Sequence, residues 1–179
     1  MQHIIIGIPL PESVKKNLYL QCCGLSNAHW IEAEQFHLCL IDIGKRSGPE
    51  VLDIINVLQG IVLPPFTVAL EGIASFSSGH GFQVIAAMVA ISPPLNKLKS
   101  LIYSQFREEK IPIEAKAFHP HVSLGVLDPG NTTKTSQYFF ENQTRPIGTF
   151  EASSFALFET RSTAKHTLNE ILAEFPLNL

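Results

Sequence analysis

Several common signatures are missing from this 179-residue chain. It has no glycine-rich phosphate loop, no Cys-x-x-Cys pair and no His-Glu-x-x-His run, which removes the sequence grounds for a P-loop nucleotide site, a thiolate metal knuckle or a helical zinc hydrolase. Cysteine is scarce. Cys22, Cys23 and Cys39 are odd in number and lack metal-type spacing, so reduced thiols in the cytoplasm are expected. Charge is sparse as well: 16% of residues are charged, and 13 Lys and Arg face 16 Asp and Glu. No global positive field draws in long nucleic acid, although a short or terminal nucleic-acid ligand needs only a local patch. No apolar stretch approaches about 20 residues, so no membrane span is expected. Residues 1–10 are apolar but lack a basic start and a cleavage site, so no secretory leader is expected.

What is present is a repeated motif. Phe36-His37-Leu38-Cys39-Leu40 and Pro120-His121-Val122-Ser123-Leu124 each carry a histidine, an apolar residue, a small thiol or hydroxyl side chain and a leucine. In an extended strand alternate side chains share a face. His37 and Cys39 therefore share one face and His121 and Ser123 another, with the apolar residues behind them. Two similar halves facing one cleft are expected, forming a single two-lobed domain over residues 1–179.

Around these strands the pattern predicts a buried strand over His3–Ile8 and a helix over about 11–25, ended by Gly24. A short extended piece follows at Trp30-Ile31, then the first histidine strand, stopped by Gly44. A helix over Glu50–Gln59 comes next. Strands over Phe66–Ile73 and Phe82–Ala90 form a hairpin, and a helix begins at Ser92-Pro93-Pro94. The second histidine strand, a helix over about 132–142, a strand over Phe150–Thr160 and a last strand or irregular arm over Thr167–Leu177 complete the chain. This order makes an α+β plan of mostly antiparallel pairing, with helices on the outer faces.

Two histidines on one cleft suit general acid–base catalysis, because an imidazole pKa near 6.5 makes both protonation states accessible. One takes a proton from water and the other gives a proton to a leaving oxygen. Hydroxyl donors two residues further on can hold phosphoryl oxygens. His119 shares a face with His121, so His119, His121 and His37 are also open as three zinc ligands. Phe82 and Phe155 are candidate base-stacking residues, with core packing the ordinary role for both.

The pair His37-Leu38-Cys39-Leu40 and His121-Val122-Ser123-Leu124 resembles the paired His-x-Thr/Ser-x motifs of the two-histidine (2H) phosphoesterase superfamily. More narrowly, the chain resembles the RNA 2′,3′-cyclic phosphodiesterases, or 2′-5′ RNA ligase-like proteins. The opening Ile6-Gly7-Ile8-Pro9-Leu10, the spacing from Trp30 to His37, the run Phe118-His119-Pro120-His121 and the closing Phe175-Pro176-Leu177 extend the likeness nearly end to end. The resemblance implies a two-lobed fold of pseudo-twofold symmetry. It implies hydrolysis of 2′,3′-cyclic phosphates at RNA ends or on small nucleotides to 2′-phosphates without metal or cofactor, and a weak ligase-like back reaction. It also implies a monomer with His121 as base and His37 as acid, and Ser123 and Cys39 on the phosphate.

Three departures stand out. Cys39 replaces the usual threonine, and a thiol is a weak donor. Val126 replaces an arginine found in many members. Asp42 replaces an aromatic residue. Lys45, Arg46, Lys116, Arg161 and Lys165 are cations in adjacent turns that could compensate. The alternative is a protein of the same fold that binds nucleotides or RNA ends without turnover.

Overall fold

The computed structural model describes residues 1–77, 83–113, 119–128, 133–162 and 167–178. Among these described residues nine strands form one antiparallel sheet, in the order β7-β4-β5-β6-β3-β1-β8-β9, with the short β2 (Ala28–Trp30) paired to β6. In chain order the long strands are β1 (Gln2–Pro9), β3 (His37–Arg46), β4 (Phe66–Ser77), β5 (Gln83–Val89), β6 (His121–Leu127), β7 (Pro146–Ala152), β8 (Ser154–Ser162) and β9 (Thr167–Pro176). Among the same residues four helices, α1 (Glu12–Tyr19), α2 (Gly48–Leu58), α3 (Pro93–Glu108) and α4 (Thr133–Asn142), complete the α+β plan.

The sheet has two four-stranded halves, β3-β1-β8-β9 and β7-β4-β5-β6. They meet where β3 lies against β6 through two residue pairs, Leu38 with Val122 and Cys39 with His121. Each histidine strand is therefore the innermost strand of its half. The face away from the histidines carries the core: Ile4, Ile6 and Ile8 of β1, Leu38 and Leu40 of β3, and Val122 and Leu124 of β6 are all fully buried. The helices bury apolar stripes at 3.6-residue spacing: Val14 and Leu18 on α1, Val51, Ile54 and Leu58 on α2, and Leu95, Leu98, Ile102 and Phe106 on α3.

Local chemistry sets the helix ends. The Glu50 carboxylate accepts from both the backbone N–H and the hydroxyl of Ser47 at the start of α2. The Ser92 hydroxyl oxygen accepts from the Leu95 N–H at the start of α3. Lys110, at φ 57°, closes α3 as the Ile111 N–H turns back to the Phe106 carbonyl.

Several boundaries differ from expectation, and the closing segment takes the strand form of its two expected alternatives. Helix α1 ends at Tyr19, not Leu25, because tight turns through Cys22 and Cys23 swing Leu25 into the core. Strand β3 runs through Gly44 to Arg46: Gly44 takes φ 79° beside a register shift, and the Asp42 carboxylate accepts its N–H at 2.9 Å. The apolar run read as one strand over Phe150–Thr160 is two strands, β7 and β8, divided at Ser153. β7 joins one half and β8 the other. The closing segment is a full edge strand, β9, paired along β8. Phe82 lies outside the described residues.

Candidate active site

The two-pair seam assembles the motif residues. Directly opposed residues in an antiparallel pair share a face. Cys39 therefore stands beside His121, and continuing the register sets His37 beside Ser123. The four side chains form a quadrilateral with histidines on one diagonal. His121 is 8% exposed and Cys39 9%, while His37 and Ser123 are half-buried.

Both imidazoles are fixed in the same way. His37 Nδ1–H donates to the Gln35 carbonyl at 3.0 Å, and His121 Nδ1–H donates to the His119 carbonyl at 2.8 Å. A carbonyl only accepts, so in each neutral ring Nδ1 carries the proton and Nε2 carries the lone pair. Each ring also meets a phenylalanine from two strands away in its own half. Phe158 of β8 stacks on His37, with centroids 4.8 Å apart and planes at 29°. Phe76 of β4 meets His121 edge-to-face, at 4.7 Å and 76°.

These contacts cross small residues. Gly7 of β1 lies between Cys39 and Ala156 in the sheet. A Cβ there would stand 3.2 Å from Phe158 Cε2, 3.3 Å from His37 Cδ2 and 2.5 Å from the Leu38 carbonyl oxygen. In the other half Ala86 and Ala74 occupy the row of Ser123.

Burial pushes both histidines below the ordinary imidazole range. The proximity of His121 adds to this at His37, and that of His119 at His121, while the carbonyl bonds act in the opposite sense. The folded protein thus favours neutral rings. Their contribution to stability is complete above the unfolded value near 6.5 and is lost as pH falls below it. The thermal midpoint is expected to drop between pH 7.5 and pH 5, with a smaller drop in the His37→Gln/His121→Gln double variant. An equal drop in both proteins would assign the acid lability elsewhere.

Burial, with Asp42 nearby, pushes the Cys39 thiol up to about 12. It stays protonated and is a neutral, weak donor rather than a nucleophile. Val126 lies opposite His29 on β2 and Val84 on β5, and is half-buried. The carboxylate of Asp42, besides bonding Gly44, lies 3.0 Å from His3 Nε2. Of the candidate compensating cations, Arg161 is held by Glu159 at 2.8 Å and Glu170 at 3.6 Å. Arg46 donates to the carbonyls of Lys45 and Pro112 at the far end of β3. Lys45 is exposed and pairs in register with His3. Lys116 and Lys165 lie outside the described residues.

Among the described residues no three His, Cys, Asp or Glu side chains gather as a metal site, so His37, His119 and His121 do not form the three-imidazole cluster that their spacing left open. Phe155, a stacking candidate by sequence, is fully buried against Phe175. The aromatic partners of the site, Phe158 and Phe76, were not among those candidates. Nothing in the local sequence marks them, because their contacts depend on strand order.

The sequence and the fold are similar to those of known proteins. The chain is 24% identical over 172 residues to the RNA 2′,3′-cyclic phosphodiesterase of Aquifex aeolicus, covering 93% of this chain and 88% of that one. It is 19% identical over 175 residues to the protein of the same name from Archaeoglobus fulgidus, covering 96% and 98%. Its fold is similar to that of E. coli LigT complexed with 3′-AMP, with a TM-score of 0.77, 18% identity and 99% coverage of both chains. It is equally similar to TT0787 of Thermus thermophilus, with a TM-score of 0.77, 20% identity and coverage of 98% and 97%. The family model of the 2′-5′ RNA ligase superfamily matches residues 25–164. With that match spanning most of the chain and both histidine motifs inside it, the chain belongs to the 2′-5′ RNA ligase superfamily, within the two-histidine phosphoesterases.

Proposed function

We propose that this protein hydrolyses 2′,3′-cyclic phosphates, at RNA ends or on small nucleotides, to 2′-phosphates, with His37 and His121 as the acid–base pair. The observation that carries the reading is the matched tethering of the two imidazoles across the β3–β6 seam, each through Nδ1 to the carbonyl two residues before it. The names of the Aquifex and Archaeoglobus relatives support the phosphodiesterase chemistry. The 3′-AMP complex of LigT supports a nucleotide as the kind of ligand bound.

In the proposed step, His121 Nε2 takes a proton from water as its oxygen bonds to phosphorus. The bond from phosphorus to the 3′ oxygen breaks, and that oxygen takes a proton from Nε2 of the His37 imidazolium. The flat face of Phe158 beneath His37 supports the cationic form there. Ser123 Oγ–H donates to a phosphoryl oxygen whose charge grows in the transition state. Cys39 faces the same space with its weaker S–H.

Because both histidines titrate below the ordinary range, kcat/KM should follow a bell centred on the acid side of pH 6.5. The direct test is an RNA oligonucleotide ending in a 2′,3′-cyclic phosphate, incubated in chelator. A 2′-phosphate product is expected; a 3′-phosphate product, or turnover only after metal is restored, contradicts the reading. Cys39→Thr should raise kcat/KM about fivefold, the effect of exchanging a weak donor for a good one facing a charged oxygen. A fall would mean that the thiol's volume, not its donor strength, fits this site.

The Cys39 thiol and the Val126 side chain also motivate a second reading, a binding protein of the same fold. Nucleotide binding without turnover, indifferent to either histidine, would favour it.

A further inference from the structure

Gln35 holds His37 with its main chain, while its side chain is bound elsewhere. The Asn169 N–H of β9 donates to Gln35 Oε1 at 2.6 Å, joining residues 134 positions apart. Asn169 is tied in turn to β8, where the Thr160 hydroxyl donates to Asn169 Oδ1 at 2.8 Å. Thr160 and Phe158 are two positions apart on β8 and so share a face, and Phe158 is the ring that stacks on His37. The contacts therefore close a circuit. It runs from the His37 ring through the Gln35 carbonyl and side chain to β9, across to Thr160, and back through Phe158 to the same ring. The main chain of Gln35 is fixed as well. Its N–H donates to the Glu32 carbonyl at 2.9 Å, and the Phe36 N–H donates to the Ala33 carbonyl at 3.1 Å. Phe36 itself is buried in the core. Gln35 and Asn169 are both half-buried, which shields their bond from water and makes an unpaired group there costly. The counterpart on β6 is built differently: the carbonyl that holds His121 belongs to His119, an exposed residue.

We propose that Gln35 is a positioning residue for His37: its side chain, latched to β9, steadies the carbonyl that orients the His37 ring. The attitude of the ring is then set jointly by the turn before β3 and by the β8–β9 hairpin. The inference rests on the hydrolase reading above, which makes His37 the acid, and extends it to what aims that acid. Nε2 must point at the leaving 3′ oxygen, and an imidazole can pivot about two side-chain torsions. The Nδ1–H bond stops that pivot only as firmly as the carbonyl itself is held. Glutamine supplies both parts that this requires, a main-chain carbonyl for the ring and a side-chain carbonyl for β9. Its amide is neutral, so the latch places no charge beside an acid that must itself become cationic. β9 is the outermost strand of its half, and the latch passes its position on to His37. Gln35 acts through His37 and not on the substrate, so its loss should appear in kcat more than in KM.

The test uses Gln35→Met, which keeps the length of the side chain and removes its acceptor, and Gln35→Glu, which keeps an acceptor for the Asn169 N–H. On an RNA oligonucleotide ending in a 2′,3′-cyclic phosphate, Gln35→Met should lower kcat about tenfold with KM nearly unchanged, within the roughly 10²-fold that a misplaced catalytic group can lose. Gln35→Glu should keep most of the rate. Nitrogen-15 NMR of the histidine rings at about pH 8 reads the cause, because the tautomer follows the hydrogen bond that each ring makes. In the wild type both His37 and His121 should show the Nδ1–H form. In Gln35→Met the His37 signals alone should move toward mixed tautomers, with His121 as the internal control and His37→Gln and His121→Gln fixing the assignments. If Gln35→Met loses rate but leaves His37 in the Nδ1–H form, or disturbs His37 and His121 alike, Gln35 is only a structural residue and the proposal is overturned. Wild-type rate and spectrum in Gln35→Met overturn it as well. If the wild type turns over no cyclic phosphate, yet Gln35→Met releases the His37 ring alone, the latch stands and the hydrolase reading falls.

Discussion

Alanine at His37 or at His121 is expected to cut kcat on a cyclic phosphate by about 10²–10⁴-fold, the range that a positioned acid or base contributes. The expectation follows from the symmetry of the site. Each ring is held by an Nδ1–H bond to the carbonyl two residues before it and by an aromatic contact, so neither is a spare for the other. The double variant should lose much less than the product of the single losses, because two groups that serve one proton relay act as a unit. Unfolding would not account for the fall. Both rings are driven toward neutrality by burial, so their removal leaves no buried counter-charge behind. The carbonyls of Gln35 and His119 each lose one donor, at a cost of about 1 kcal/mol. Single-turnover rates, with melting curves on the same samples, separate the two effects. A variant keeping more than a tenth of the wild-type rate removes that histidine from the chemistry.

The second large effect is expected at a residue with no side chain. Gly7→Ala places a Cβ 2.5 Å from the Leu38 carbonyl oxygen, on the strand that carries His37. Backbone cannot turn aside as a side-chain tip can, so β1 and β3 must separate or β3 must shift. Overpacking of this kind costs about 1–3 kcal/mol, several degrees in thermal midpoint for a chain of this size. The loss of rate should be larger in proportion, because a displacement of about 1 Å at a catalytic group can cost about 10²-fold. The new methyl also crowds Phe158 and the His37 ring. Trimming Phe158 to leucine should nevertheless fail to restore activity, since the tightest contact is with the main chain. Recovery of the rate in Gly7→Ala/Phe158→Leu would move the cause from the backbone to the ring stack.

The histidine strands were legible because two local signals coincide in them: alternation that puts Leu38, Leu40, Val122 and Leu124 in the core, and a repeated motif on the other face. Helices α2 and α3 were legible from apolar spacing, and α3 also from its serine and prolines. The break at Ser153 was not. Ala152 and Phe155 on either side are both buried, so composition runs smoothly through the point where the chain leaves one half of the sheet for the other. The aromatic partners were hidden for a related reason. Phe158 and Phe76 reach their histidines across an intervening strand, so the contacts are set by the order β3-β1-β8 and β6-β5-β4. The row that joins Phe76, Val84 and Val126 is hidden further by a bulge that changes which β6 residues share a face. The departures at Asp42 and Val126 were visible, but the bonds of Asp42 to Gly44 and His3 and the place of Val126 between Val84 and His29 are tertiary.

The seam through Cys39 and His121 is only two pairs long, and in a mechanical sense it is the axle of the sheet. Rotation of one half against the other about this point would carry the outer strands β7 and β9 through the widest arcs. The Cα atoms of Cys39 and His121, on the axle itself, would move least. Such a rotation would leave the spacing of Cys39 and His121 nearly constant while the flanks of the sheet moved.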